Sequence, residues 1–204
     1  MKSKKLYYVT ALVLASLSLA ACSNTNNQTK TTTTSSSTNQ IQAKNQDVRL
    51  SFNKVTTGTA ANNFQGGSTL EQLVALFGQP TTHEQRQAGD ATVEAYTWQI
   101  DAVSIEAQLY NNSTIAKSIS NFSFIRDAKT SLADYQKLKV GQTTYSQAVQ
   151  LLGEPDVMSH AVSSDAEQGQ AIWTSGLKGE SGTQIQLTFT NSVLATENQV
   201  GLTN

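Results

Sequence analysis

The chain has 204 residues, of which 38% are hydrophobic and 14% are charged, and its formal net charge is -1. This near-neutral balance argues against a nucleic-acid-binding surface, because neutralising phosphates requires clustered lysine and arginine. The single cysteine excludes an intrachain disulfide framework and a zinc cluster built from CxxC pairs.

The N-terminus has the three parts of an export signal: a basic start at 1–5, an apolar run at 6–19 and small residues after it. The apolar run of about 14 residues is shorter than the roughly 20 that span a bilayer as a helix. We therefore predict a signal peptide over residues 1–21. Its removal leaves eleven basic and fifteen acidic residues, a formal charge of -4.

The signal ends in the sequence Leu19-Ala20-Ala21-Cys22, which resembles the lipobox of bacterial lipoproteins. The resemblance implies that cleavage makes Cys22 the new N-terminus and that its thiol carries a diacylglyceryl, palmitate-type membrane anchor. Each buried methylene contributes roughly 0.8 kcal/mol, so two or three acyl chains give stable attachment. The alternative is an ordinary secretory signal with a cysteine near its cleavage point.

Residues 22–46 follow the anchor and consist almost entirely of Ser, Thr, Asn, Gln and Lys. Such a segment has too little apolar surface to order itself. We predict a disordered tether with a root-mean-square reach of roughly 25–30 Å, which holds a folded part away from the membrane.

The folded part contains an internal similarity. Residues 66–80 and 141–155 are identical at seven of fifteen positions without a gap, at an offset of 75. The two tryptophans, Trp98 and Trp173, are separated by the same 75 residues. We predict a duplication, with a first repeat over 47–126 and a second over 127–204.

Each of these windows predicts a short helix. A threonine followed three residues later by glutamine fits a capping box, and a glycine is placed where a left-handed residue ends a helix, with proline two residues later. These residues are Thr69, Gln72, Gly78 and Pro80 in the first window, and Thr144, Gln147, Gly153 and Pro155 in the second.

Apolar residues alternate after each helix, as in "YTWQIDAVSIEAQL" and "TQIQLTF", which predicts antiparallel strands. The predicted fold class is α+β: two tandem repeats, each a helix pair packed on one face of a three- or four-stranded antiparallel sheet. Packing helices on one face leaves the opposite face free for function.

The pattern "KVGQT…V…LGEP…W…LTFTNSVL" resembles the repeat of beta-lactamase inhibitory protein (BLIP) and of the outer-membrane assembly lipoprotein BamE. The resemblance covers about 47–204 and is strongest to BLIP-like lipoproteins of Gram-positive bacteria. It implies that both sheets form one concave surface that clamps a beta-lactamase. It also implies that an acidic residue on the first hairpin enters the enzyme's active site, assisted by an aromatic on the second hairpin. Asp101 occupies the matching first hairpin.

We predict five partner-binding residues: Tyr96, Trp98, Asp101, Trp173 and Leu177, the last at the tip of the second hairpin. Tryptophan and tyrosine dominate the energetics of protein interfaces. The alternative for the two tryptophans is a packing role common to both repeats, and the alternative for Asp101 is a plain polar turn residue.

The residues give little support to catalysis. His83 and His160 follow the two prolines at unequal distances, no His/Asp/Glu cluster has ligand spacing, and no glycine-rich phosphate loop is present. Glu154 and Asp156 are predicted to be surface residues. We predict a protein that is not an enzyme and has no cofactor, metal, nucleic-acid partner or small-molecule substrate.

The predicted function is therefore a monomeric, non-enzymatic protein-binding lipoprotein at the extracytoplasmic face of a bacterial, Gram-positive cell membrane. It acts through its exposed sheet face on an unknown protein partner. Two alternatives stay open: an inhibitor of a beta-lactamase or penicillin-binding-type enzyme, and a structural envelope-assembly or cell-wall-associated factor.

Overall fold

The computed structural model describes residues 45–204. The predicted signal peptide, the lipobox with Cys22 and nearly all of the predicted tether lie outside the described residues. Within 45–204, none of the helices combines the length and the apolar character that crossing a membrane requires.

The helices are short and fall into two groups. The first group precedes β1 and consists of α1 (45–52), a 3-10 turn (Ala60–Asn62) and α2 (Leu70–Phe77). The second group lies between β4 and β5 and consists of α3 (Leu132–Tyr135) and α4 (Tyr145–Leu152). The strands are β1 (Thr82–Ala88), β2 (Ala91–Ile100), β3 (Val103–Tyr110), β4 (Ser113–Ser120), β5 (Val157–Val162), β6 (Glu167–Trp173), β7 (Gly179–Thr190) and β8 (Val193–Leu202).

Both predicted capping boxes are confirmed. The hydroxyl of Thr69 accepts the N–H of Gln72, whose side chain accepts the N–H of Thr69 in return, and Thr144 repeats the arrangement at α4. Gly78 and Gly153 end these helices with φ of 83° and 81°. Their ψ values of -166° and -179° differ from the predicted left-handed helical turn and fall in a region that is essentially restricted to glycine.

The predicted fold class, in which each repeat has its own three- or four-stranded sheet covered by a helix pair, is wrong. All eight strands form one antiparallel sheet in sequence order, and β4 pairs with β5 from Ala116 opposite Ala161 to Ile119 opposite Met158. The reason is physical: a sheet ending at β4 would present a row of unpaired N–H and C=O groups, which β5 satisfies. The predicted helix pairs are single short helices and turns laid on one side of this sheet.

The core lies between the helices and the sheet. Trp98 and Trp173 are both buried there, and their indole N–H groups donate to the helix-ending carbonyls of Gly78 at 2.8 Å and Gly153 at 2.9 Å. The same contact thus recurs 75 residues apart. Each indole satisfies a carbonyl that the end of a helix leaves unpaired, which fixes the helix to the strand that follows it.

A buried polar network joins the two groups of helices. Arg49 of α1 is 0% exposed and donates to the carbonyl of Pro155 at 2.7 and 3.0 Å. Asp156 is also 0% exposed, so its predicted surface position is wrong. Its carboxylate accepts the backbone N–H groups of Phe124, Thr174 and Ser175 at 2.6–2.9 Å. These bonds hold the connector between β4 and α3 (121–131) against the β6–β7 turn (174–178).

Candidate partner-binding surface

The side of the sheet opposite the helices, called the open face below, carries a continuous row of polar side chains. Strand register aligns one residue from each of the eight strands, and every member is partly or fully exposed. This polar row consists of Thr82, Thr97, Glu106, Ser118, Ser159, Gln170, Thr188 and Thr196. Hydroxyl and amide groups both donate and accept hydrogen bonds, so the row suits contact with another polar surface.

The centre of the open face is built from small residues. On β4 and β5, Ser118 lies opposite Ser159 and Ala116 lies opposite Ala161. Longer side chains flank them in the same rows, with Gln108 on β3 and glutamines on β6. Small residues between longer ones make a shallow depression, and its position over the β4–β5 pairing means that residues before and after the connector contribute to one surface.

Charge on the open face is concentrated at the β1–β3 end. Arg86 donates to Glu84 and to Glu106, both at 2.7 Å, and the amide of Gln108 donates to Glu106 at 2.9 Å. The Glu106 side chain is 30% exposed and that of Arg86 is 37% exposed. At the opposite end, the members of the polar row on β6–β8 are uncharged. The surface is therefore mildly acidic at one end and neutral at the other.

A loop that only the N-terminal part possesses covers one end of the open face. Phe64 packs against Val93, Ile115 and Val162, and its ring meets that of Tyr110 edge-on at 6.2 Å. Strand alternation places Val93 and Tyr110 on the side opposite Trp98. The sequence shows this insertion at 59–65 but gives no periodicity from which its position could be predicted.

Residues 44–202 match a family described as "Domain of Unknown Function with solved-structure structure (DUF3862)". The chain belongs to the DUF3862 family. A solved structure of a candidate beta-lactamase inhibitor protein from Streptococcus mutans is 50% identical to it, with a TM-score of 0.75 over 78% of this chain and 98% of that chain. No curated protein matches. These similarities confirm the resemblance to BLIP-like proteins and support a protein-binding role for this DUF3862 chain.

Two of the predicted binding residues, Tyr96 and Trp98, lie on the helix-bearing side of the DUF3862 sheet. Trp98 is 1% exposed and is registered with Ile105, so its side chain is not available to a partner. Tyr96 is partly exposed and stacks on the His83 ring at 4.4 Å. The β-strand period of two places both aromatics on the face that carries the core residues, where Trp98 is buried and Tyr96 keeps part of its surface.

Trp173 and Leu177 are also buried, in the core of the C-terminal part. Leu177 is 7% exposed and does not lie at a hairpin tip. Residue 130 bridges to it in parallel, and the N–H groups of Lys129 and Thr130 donate to the carbonyl of Gly176. The connector thus presses this turn into the core, a long-range contact that alternation in the sequence does not reveal.

Asp101 is the predicted residue that remains at the surface. It lies in the two-residue turn between β2 and β3, with φ of 54°, a left-handed conformation in which Asn and Asp are enriched. The side chain of Gln99 donates to the Asp101 carbonyl at 3.0 Å and stabilises the turn. Asp101 is therefore an exposed residue at the end of the β2–β3 hairpin.

The described residues contain no group of three or more His, Cys, Asp or Glu side chains that could hold a metal ion. His83 is exposed and contacts Glu94 at 2.5 Å. The hydrogen bond from His83 is the main cause that lowers the pKa of Glu94. This is a surface pair, and no hydroxyl or thiol nucleophile is hydrogen-bonded to it among residues 45–204.

Proposed function

We propose that this protein is a lipid-anchored, non-enzymatic module that binds another protein across the open face, outside the bacterial cell membrane. Cys22 carries the anchor and residues 23–46 are the tether, so the folded part reaches partners near the membrane surface. The chain acts as a monomer, with one open face on each molecule.

The observation that carries this proposal is the continuity of the polar row. Eight registered residues cross the whole sheet, and each of them is partly or fully exposed. A solvated face is ordinary for an antiparallel sheet, but here the small residues of the β4–β5 pairing place both parts of the chain on one continuous surface.

The partner class that we propose is a serine beta-lactamase or a penicillin-binding-type enzyme. Support comes from the 50% identity to the Streptococcus mutans protein described as a candidate beta-lactamase inhibitor. In this chain, Asp101 supplies an acidic residue at the exposed end of the β2–β3 hairpin. A carboxylate is the group that such enzymes recognise in their substrates, so Asp101 is placed to compete for that site.

The test is inhibition of purified enzymes. The chain is added to a panel of serine beta-lactamases and penicillin-binding proteins, and hydrolysis of a chromogenic cephalosporin or acylation by a fluorescent penicillin is followed. We expect at least one enzyme to be slowed. Asp101→Ala weakens the inhibition about tenfold, equivalent to about 1.4 kcal/mol. Asp90→Ala, in the exposed turn between β1 and β2, is the matched control and has no effect.

A second pair of variants tests the surface itself. Ser118→Arg places a bulky charge at the centre of the polar row, and Ser146→Arg places the same side chain on the exposed side of α4, behind the sheet. Only the first should weaken binding. If no enzyme in the panel is inhibited, and cross-linking on intact cells captures the same neighbours with wild type and Ser118→Arg, the proposal is wrong.

A further inference from the structure

A cleft lies on the helix-bearing side of the sheet, away from the open face, where the two groups of helices leave the central strands uncovered. Its volume is about 360 Å³, within the range of small-molecule sites. The floor is formed by Lys117, His160, Gly169 and Phe189, which occupy one registered row from β4 to β7. Residues 55–57, after α1, form one wall and Tyr145 of α4 forms the other.

Gly169 keeps the floor of this cleft open. A methyl group built at its Cα would lie 3.8 Å from Cδ2 of His160 and 3.9 Å from Cβ of Phe189. These are ordinary contact distances, so packing does not demand glycine here. A larger side chain at this position would project into the cleft and fill it.

The cleft is lined by one ammonium group, that of Lys117, and by the carboxylate of Glu167. The ammonium group donates to the carbonyl of Val55 and lies 4.9 Å from the centre of the Phe52 ring. Burial, and secondarily the Arg49 guanidinium, lower the pKa of Lys117 to about 8, so the group is charged at neutral pH. No carboxylate of residues 45–204 forms an ion pair with it. A buried cation without a counter-charge is costly, and an anion bound beside it would offset that cost.

The other polar groups of the cleft are uncharged or already contact another side chain. Burial and then Lys117 lower the pKa of His160, whose ring contacts Thr57 at 3.2 Å and Glu167 at 3.7 Å. Glu167 is thus held at the rim. Burial raises the pKa of Tyr145 to about 12, so it keeps its hydroxyl proton, which it donates to the sulfur of Met158 at 3.6 Å. Because a thioether is a weak acceptor, a carboxylate would replace it as the partner. The rest of the lining includes the apolar side chains of Val55, Met158 and Phe189.

We propose that this cleft binds a small organic monocarboxylate. Its carboxylate pairs with the Lys117 ammonium and accepts from the Tyr145 hydroxyl, and its apolar body lies against Met158 and Phe189. Because the Lys117 ammonium is a single positive charge without an ion-paired carboxylate, a ligand with one negative charge neutralises it. The site is on the opposite side of the sheet from the open face and does not depend on the proposed protein-binding function.

The experiment is a titration of the purified full-length chain with 3-phenylpropionate, followed by nuclear magnetic resonance. Met158 is the only methionine besides Met1, so its methyl signal reports directly from the cleft wall, and the His160 ring signals report from the floor. We expect saturable shifts of both. The isosteric alcohol, 3-phenylpropanol, should bind about tenfold more weakly, and 3-phenylpropylamine should produce no saturable shift.

Three variants locate the site. Lys117→Met removes the cation and should weaken binding about tenfold or more. Gly169→Val fills the floor and should abolish it. Gln168→Val, whose side chain lies on the open face one residue earlier in the same strand, should bind as wild type does. Urea unfolding monitored by tryptophan fluorescence verifies that each variant is folded. If Gly169→Val does not fold, the affinity of Lys117→Met tests the proposal.

Three results would overturn the proposal. One is the absence of saturable shifts at concentrations up to about 10 mM, a limit that corresponds to negligible affinity. Another is equal binding of the acid and the amine, which would show that Lys117 does not select charge. The last is unchanged affinity of a folded Lys117→Met variant.

Discussion

Replacing Asp156 by alanine removes the acceptor that organises the junction between the connector and the β6–β7 turn. The carboxylate is 0% exposed and accepts three backbone N–H groups at 2.6–2.9 Å. It also accepts the Ser175 hydroxyl at 2.6 Å and pairs with Arg126 at 3.4 Å. A buried donor left without an acceptor costs about 1–3 kcal/mol. Because water will satisfy some of these donors, we expect the free energy of unfolding to fall by about 4 kcal/mol, similar to the effect of breaking a buried ion pair.

The chain supplies a matched control 75 residues earlier. Thr81 occupies the corresponding position, and its hydroxyl accepts one backbone N–H, that of Gln99, at 3.0 Å in an exposed setting. Thr81→Ala should therefore cost only about 0.5–1 kcal/mol. Asp156→Asn keeps one acceptor oxygen but turns an amide N–H toward donors. Its free energy of unfolding should therefore lie between those of the two alanine variants.

The assay is urea unfolding followed by the fluorescence of the two buried tryptophans, with the free energy of unfolding taken from linear extrapolation. The two alanine variants should differ by at least about 2 kcal/mol. Equal losses for Asp156→Ala and Thr81→Ala would refute the reasoning, because they would show that the buried carboxylate stabilises the fold no more than an exposed hydroxyl does.

Three further predictions use the same measurement. Trp98→Phe removes the indole donor to the Gly78 carbonyl and should lower the free energy of unfolding by about 1–2 kcal/mol; no loss would show that water replaces the bond. Phe64→Ala should cost about 3 kcal/mol through the cavity left on the open face, and a loss below about 1 kcal/mol would mean that the loop is not packed there. Lys117 has a folded-state pKa of about 8 against an ordinary value of 10.5, so the unfolded chain binds more protons between those pH values. Wild type should therefore gain about 3 kcal/mol relative to Lys117→Met as the pH rises through this window, and a constant difference would contradict the burial of the charge.

Local features of this fold could be read from the sequence because they depend on neighbouring residues. The capping box needs only Thr69 and Gln72, three positions apart, and the core side of each strand follows from alternation. The pairing of β4 with β5 could not be read in this way. It joins strands separated by the connector and two helices, and both repeats look complete without it.

The environment of the site residues likewise depends on contacts between segments that are distant in sequence. The burial of Asp156 does not follow from its neighbours in sequence, because its four partner residues lie 30–32 residues before it and 18–19 residues after it. Arg49 lies three residues before Phe52, on the buried side of α1, and this spacing is the local signal of its burial. Trp98 and Trp173 each donate to the carbonyl of a helix-ending glycine, but their similarity in sequence does not say which side of a strand meets solvent.

The loop that carries Phe64 has a consequence for how a partner approaches. Two similar modules side by side would offer nearly the same surface in two orientations related by a half-turn, and a partner could bind either way round. Because only the N-terminal module places an aromatic lid over its end of the strands, the two orientations differ in shape. The two ends of the open face therefore differ along the strand order, and a partner that binds across it meets a different surface at each end.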